Sequence, residues 1–103
     1  MYGDKLKVLL GFGHIGDDNT HLNIVANTDK YNPDDIRAEF EEQVFRYVIA
    51  KGGSISAEHG IGSFKTKYRE LVYPPAVWKT MVAMKNALDP NRILNPEVIF
   101  KGV

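Results

Sequence analysis

The chain of 103 residues contains no cysteine. A disulfide framework and a thiolate metal site are both excluded, which fits a reducing compartment without requiring one. It has no excess of charge, because thirteen basic residues balance thirteen acidic ones. No field is therefore available to gather nucleic acid or anionic lipid. No apolar run approaches the ~20 residues that span a bilayer. The opening MYGDKLKV has neither the apolar core of a secretory signal nor the Arg/Ser-rich character of a transit peptide, so the chain reads as untargeted or as lacking its N-terminal part. Its glycines are scattered among turns and short motifs, and no glycine-rich segment of the kind that cradles a nucleotide phosphate is present. There is no internal repeat and no low-complexity stretch.

What is present is a pair of histidines. His14 and His21 stand seven apart in GHIGDDNTH, and Glu58-His59 follow in SISAEHGIG. Two imidazoles and a later carboxylate make a three-ligand set that leaves coordination positions open, as catalytic rather than structural metal sites do. Residues 5–15 (KLKVLLGFGHI) and 20–27 (THLNIVAN) both read as strands, and Gly16, Asp17, Asp18 and Asn19 supply a four-residue hairpin loop. This register pairs Ile15 with Thr20 and His14 with His21. Opposed side chains on one face have Cβ atoms roughly 4.5–5.5 Å apart, close enough for two imidazoles to share an ion. Asn23 projects from the same face as His21. A slip of one residue would send a histidine to the opposite face. On these two residues alone, a hydrogen-bonded surface patch is the commoner reading, because histidine mostly does work other than metal binding.

Residues 54–58 (SISAE) read as a short strand ending on a glycine-flanked turn, a position that presents reactive groups. Consecutive strand residues point apart, so Glu58 and His59 are expected to do different work, one ligating and the other handling protons. Further elements are ordinary packing helices. Asn32 is a predicted N-cap, with Pro33 at the first helical position and Asp34 and Asp35 in the first turn. Ile36, Phe40, Val44, Tyr47 and Val48 recur at helical spacing until Gly52-Gly53. A weaker pattern covers 62–72 and is broken by Pro74-Pro75. A last helix over 76–88 places Val77, Met81, Met84 and Leu88 on one stripe. An extended tail punctuated by Asn95-Pro96 closes the chain.

One domain at most follows from this length. The element order predicts an α+β fold, a small antiparallel or mixed sheet with helices packed on one face. Three strands make a narrow sheet with exposed edges, so residues 1–103 read as part of a larger fold, and self-association through an edge is open to them.

GHIGDDNTHLNI, GSISAEHGIGSFKTKY and PPAVWKTMVAMKNALDPNRILNP resemble, in order and nearly end to end, the C-terminal part of the FAD-linked oxidase family. The branch most resembled oxidises D-2-hydroxy acids such as D-2-hydroxyglutarate or D-lactate. The resemblance implies that His14 and His21 are metal ligands with Glu58 as the carboxylate ligand, usually to zinc. It implies that His59 is the acid/base beside the flavin, and that Asn23 contacts substrate. Lys65 falls on a commonly basic position to which no role is attached. It also implies that FAD is bound by a separate N-terminal domain, here absent, and that upstream residues grip the substrate carboxylates. The fragment alone is then expected to be inactive, its partners being a small 2-hydroxy acid and the remainder of its own polypeptide. The implied location is mitochondrial for a eukaryotic protein, and cytoplasmic or peripheral to the inner membrane for a bacterial one. A family member has carried an actin-interaction name, so a protein-interaction module without catalysis of its own is the alternative. Two departures stand out: Asp18 replaces the Gly usual in the turn after the first histidine, and Glu97 follows Asn95-Pro96 where Gly is frequent. If the first position needs a positive φ, Asp meets it less readily than Gly but better than most residues.

Overall fold

The histidine segment forms a two-stranded antiparallel hairpin in the computed structural model, β1 (Leu6–His14) against β2 (Asn19–Ala26). The structure describes residues 3–103; Met1 and Tyr2, which open the stretch read for a leader, lie outside the described residues. The chain divides into two units, Met1–Ala50 and Lys51–Val103.

In the first unit, the turn differs from expectation in a way that matters. Ile15–Asp17 form a 3-10 turn and Asp18 adopts the left-handed conformation, φ 53° and ψ 28°. The loop is thus 15–18, one position earlier than predicted, and Asn19 is already paired. Ile15 has a strand-forming side chain but is 97% exposed in the turn. The register becomes Phe12↔His21, Gly13↔Thr20 and His14↔Asn19, so His14 and His21 are not direct partners. Both strand ends move by one position together, the pairing shifts by two, and the pleat's period of two keeps both histidines on one face. The irregularity in the ladder lies between Leu6 and Val8, with Lys7 as the extra residue, and pairing runs unbroken from Val8 to His14. Apolar side chains are exposed on both faces: Val8, Leu10, Phe12 and Val25 beside the histidines, Leu9 and Leu22 behind them.

α1 (Pro33–Ala50) starts as the sequence dictates. The Asn32 Oδ1 accepts the Asp34 amide at 3.0 Å, satisfying one of the free N–H groups of the first turn. Ile36 is buried and Phe40, Val44 and Val48 are half-buried, but Tyr47 is 66% exposed and falls outside the stripe assigned to it. Gly52, at φ 77°, follows the helix end. The strand base and the approach to the helix are tied together. Tyr31 Oη and Lys30 Nζ donate to the Asp4 carboxylate at 2.9 and 3.2 Å, the Asn27 amide donates to the Lys5 carbonyl at 2.7 Å, and Lys5 reaches Glu39 at 3.2 Å.

In the second unit, residues 54–58 form no strand; they run through bends and turns. The predicted 62–72 helix is shorter, a 3-10 turn at Thr66–Tyr68 leading into α2 (Arg69–Val72). Gly62, at φ 57°, cannot be a helical residue, and its carbonyl instead accepts the Ile99 amide at 2.7 Å. Ile55, Ile61 and Tyr68 are the buried apolar side chains here. α3 (Pro75–Leu88) forms where expected, but its inner stripe is rotated. Trp78, Met81, Val82 and Lys85 are half-buried, while the predicted Val77, Met84 and Leu88 are exposed. Trp78 sets this orientation by stacking between Tyr73 and Phe100, with ring centroids 6.1 and 5.4 Å away. Buried Asp89 closes the helix, taking Lys85 Nζ at 2.7 Å and the Ile93 and Leu94 amides at 3.0 and 3.1 Å. These bonds, the Lys85 bond foremost, hold its carboxyl below the usual aspartate range.

The chain is α+β, as expected. Among the described residues no helix is long and apolar enough to cross a membrane.

Candidate functional site

On the hairpin, His14 has Asn19 opposite it and His21 has Phe12 opposite it, which makes the two histidines diagonal neighbours. The diagonal is within reach of such side chains. Their rings meet edge to face, centroids 6.0 Å apart at 70°. Phe12 stacks on His21 at 5.5 Å and 25° and limits its rotation. Sequence reading missed Phe12. Its signal was present, since the spacing of two from His14 puts both on one face. Asn23 lies on that same face, one pleat beyond His21.

The donor chemistry suits a divalent cation. A zinc-bound imidazole nitrogen lies about 2.0–2.1 Å from the ion, and a ring centroid roughly 1 Å further, so two ligating rings are about 5–6 Å apart. The observed 6.0 Å falls at the upper end of that span. Asn19 adds a second sign, because its Oδ1 is shielded from solvent with no hydrogen-bond partner among the described residues. A buried acceptor beside His14 suits a group brought in with an ion better than it suits a closed apolar surface.

Glu58 and His59 sit in a turn of the second unit. The Ser56 amide donates to Ser54 Oγ at 3.2 Å, and the two serine hydroxyls are 2.7 Å apart. Such local bonds compete with a strand ladder, and here they win. The Ser56 carbonyl then accepts the His59 and Gly60 amides at 2.9 and 3.0 Å, with Ala57 left-handed at φ 45°. With no strand, the two side chains do not point apart: Glu58 Oε1 and His59 Nε2 approach to 3.5 Å. The expectation of divergent side chains is corrected by this turn. Lys65 Nζ donates to the Ile55 carbonyl at 2.7 Å. An open hollow of about 220 Å³ lined by Thr66, Lys67, Arg69, Glu70 and Lys101 includes none of the sequence-predicted site residues.

Residues 3–99 match the family model described as FAD linked oxidases, C-terminal domain. The chain belongs to this family. Among curated proteins it is similar to D-2-hydroxyglutarate dehydrogenase of Stutzerimonas stutzeri, 44% identical over 95 residues, covering 89% of this chain and 20% of that protein. It is 37% identical over 94 residues to the mitochondrial D-2-hydroxyglutarate dehydrogenase of Rattus norvegicus, covering 91% of this chain and 17% of that protein. It is also 42% identical over 99 residues to a D-2-hydroxyglutarate–pyruvate transhydrogenase of Saccharomyces cerevisiae, covering 93% and 19% respectively. The chain thus spans about a sixth to a fifth of the length of the curated relatives it matches. No solved structure matches it.

Proposed function

We propose that this chain is the metal-bearing C-terminal segment of an FAD-dependent D-2-hydroxy acid dehydrogenase, with D-2-hydroxyglutarate as substrate ahead of D-lactate. The observation that carries the reading is the approach of His14 and His21 on one hairpin face in a member of this family. The names of the relatives favour the five-carbon acid over lactate.

In this reading His14, His21 and Glu58 hold a divalent cation, zinc being the metal that the family resemblance implies. When bound, the cation supplies Lewis-acid polarisation of the substrate oxygens. The flavin, held by the rest of the polypeptide, supplies the hydride-accepting ring. His59 takes the proton of the 2-hydroxyl as the C2 hydrogen leaves with its electron pair, and the carbonyl of the 2-oxo acid forms. Glu58, 3.5 Å from His59, orients that imidazole as well as ligating. Asn23 meets the substrate with its carboxamide, on the face that His21 shares. For a eukaryotic source, a mitochondrial location follows the relatives that are so named. No feature of the described residues favours an actin-binding role.

The test is steady-state kinetics on the full-length protein with D-2-hydroxyglutarate and D-lactate. His59→Ala should lower turnover by about 10²–10⁴-fold with little change in KM. Unchanged turnover rejects the role of His59, and no oxidation of either acid by the metal-loaded wild type rejects the activity.

A further inference from the structure

We infer that Asn19 is a positioning residue of the metal site, its carboxamide oxygen accepting a hydrogen bond from a water bound to the cation. The inference rests on the metal reading of His14 and His21 given above. β2 places Asn19, His21 and Asn23 in alternation on the histidine face, at a strand rise of roughly 3.4 Å per residue. Two carboxamides therefore flank one imidazole. They differ in setting: Asn23 is exposed, whereas Asn19 is half-buried and its Oδ1 is shielded from solvent with no hydrogen-bond partner among the described residues. Asn19 also stands directly opposite His14, where the strands approach so closely that Gly13 has no room for a Cβ against the Asn19 carbonyl. Its position is thus set by backbone pairing. A second shielded carboxamide oxygen, that of Asn27, belongs to a side chain already engaged in the fold, since its amide donates to the Asp4 carbonyl at 2.9 Å.

A shielded acceptor without a donor destabilises the fold, so Asn19 Oδ1 is expected to meet a donor in the working protein. Its chemistry narrows the choice. A carboxamide oxygen only accepts, and a cation-bound water turns its oxygen to the metal and its hydrogens outward. Two imidazoles and a carboxylate leave a coordination position of a zinc ion to water. The substrate 2-hydroxyl fits less well, because its single hydrogen passes to His59 in the reading above. The cation therefore brings its own donor to Asn19, and Asn19 fixes where that water sits.

The experiment measures zinc affinity by chelator competition, and the thermal midpoint of the zinc-free protein, for full-length wild type, Asn19→Leu and Asn19→Asp. Leucine is close in shape and removes the acceptor, whereas aspartate keeps it. Asn19→Leu should lower zinc affinity by roughly 10–100-fold, the usual effect of losing an outer partner of a metal site. Its zinc-free midpoint should hold or rise, because an unsatisfied acceptor gives way to an apolar group of the same shape. Asn19→Asp should bind zinc at least as tightly as wild type. Saturating D-2-hydroxyglutarate, by displacing the water, should narrow the gap between wild type and Asn19→Leu. Unchanged zinc affinity in Asn19→Leu overturns the inference. So does a fall in its zinc-free midpoint, which makes Asn19 a structural residue, or an Asn19→Asp protein that binds zinc no better than Asn19→Leu. A gap that the acid leaves unchanged assigns Oδ1 to the His14 ring and overturns the water. Wild type that binds no zinc, or His14→Ala that binds it equally well, defeats the metal reading itself and this inference with it, a failure told apart because it appears with Asn19 intact. Should Asn19→Leu not fold, Asn19→Ala takes its place in the zinc measurements.

Discussion

His14 and His21 are diagonal neighbours on one face of the hairpin, their rings edge to face at 6.0 Å. Removing either imidazole should weaken zinc binding in the full-length protein by more than the roughly 10–100-fold that loss of an outer-shell partner costs. A competition titration against a chelator measures this. His14→Ala or His21→Ala binding zinc like wild type would remove both residues from the ligand set. Stripping the metal should abolish turnover, with zinc restoring it.

Gly13 faces Thr20 at the close approach of the two strands, and a Cβ added there would fall far inside contact distance of the Asn19 carbonyl. Because the obstacle is backbone, no rotamer change relieves it. Gly13→Ala should destabilise by about 1–3 kcal/mol, the range for forcing atoms into packed space. It should also separate His14 from Asn19, so zinc affinity falls alongside the denaturation midpoint. Gly11→Ala meets only the tips of Leu22 and Thr20 at ordinary contact distance and serves as the control.

Asp18 occupies a left-handed position, φ 53° and ψ 28°, that glycine adopts without the steric cost of a Cβ. Asp18→Gly should be neutral to stabilising, by up to about 1 kcal/mol, whereas Asp18→Val should cost about 1–2 kcal/mol. Urea midpoints measure both. A midpoint for Asp18→Val equal to wild type would show that the turn takes another conformation in solution.

Asp89 gives a pH dependence with a definite sign. Its carboxyl is held below the ordinary aspartate range by Lys85 and then by the Leu94 and Ile93 amides, so the folded state binds its proton more weakly than the unfolded chain does. The stabilisation is complete above the ordinary aspartate range and is lost as pH falls through the depressed folded value. Asp89→Asn should lower the thermal midpoint at neutral pH and flatten its decline at acidic pH. A decline as steep as that of wild type would assign acid sensitivity to other groups, Asp4 among them, whose carboxyl is lowered by Tyr31 and Lys30.

Much of this was legible in the residues because local chemistry decided it. Asn32 caps α1, the helix ends before Gly52, and α3 begins at the proline pair, since each depends on a few adjacent side chains. The histidine face was legible too, as a period of two survives a register shift of two. The register itself was not. It turned on whether Ile15 extends the strand or enters the turn, and strand propensity cannot weigh that against a left-handed Asp18. The 54–58 segment misled because Ile55 looks like a strand residue, while the Ser54 hydroxyl accepts the Ser56 amide and pairs with the Ser56 hydroxyl. In α3 the apolar pattern allowed two neighbouring stripes, and only the ring stack around Trp78 chooses between them.

The extra residue at Lys7 lies at the open end of the hairpin, and the pairing from Val8 to His14 leaves the turn end undisturbed. Strand alignment near the imidazoles is consequently counted back from the tight bend, and an added or deleted residue where the chain enters can be absorbed before it reaches them. Length changes there should be tolerated in sequence, whereas a single insertion at the bend would turn one ring to the far side.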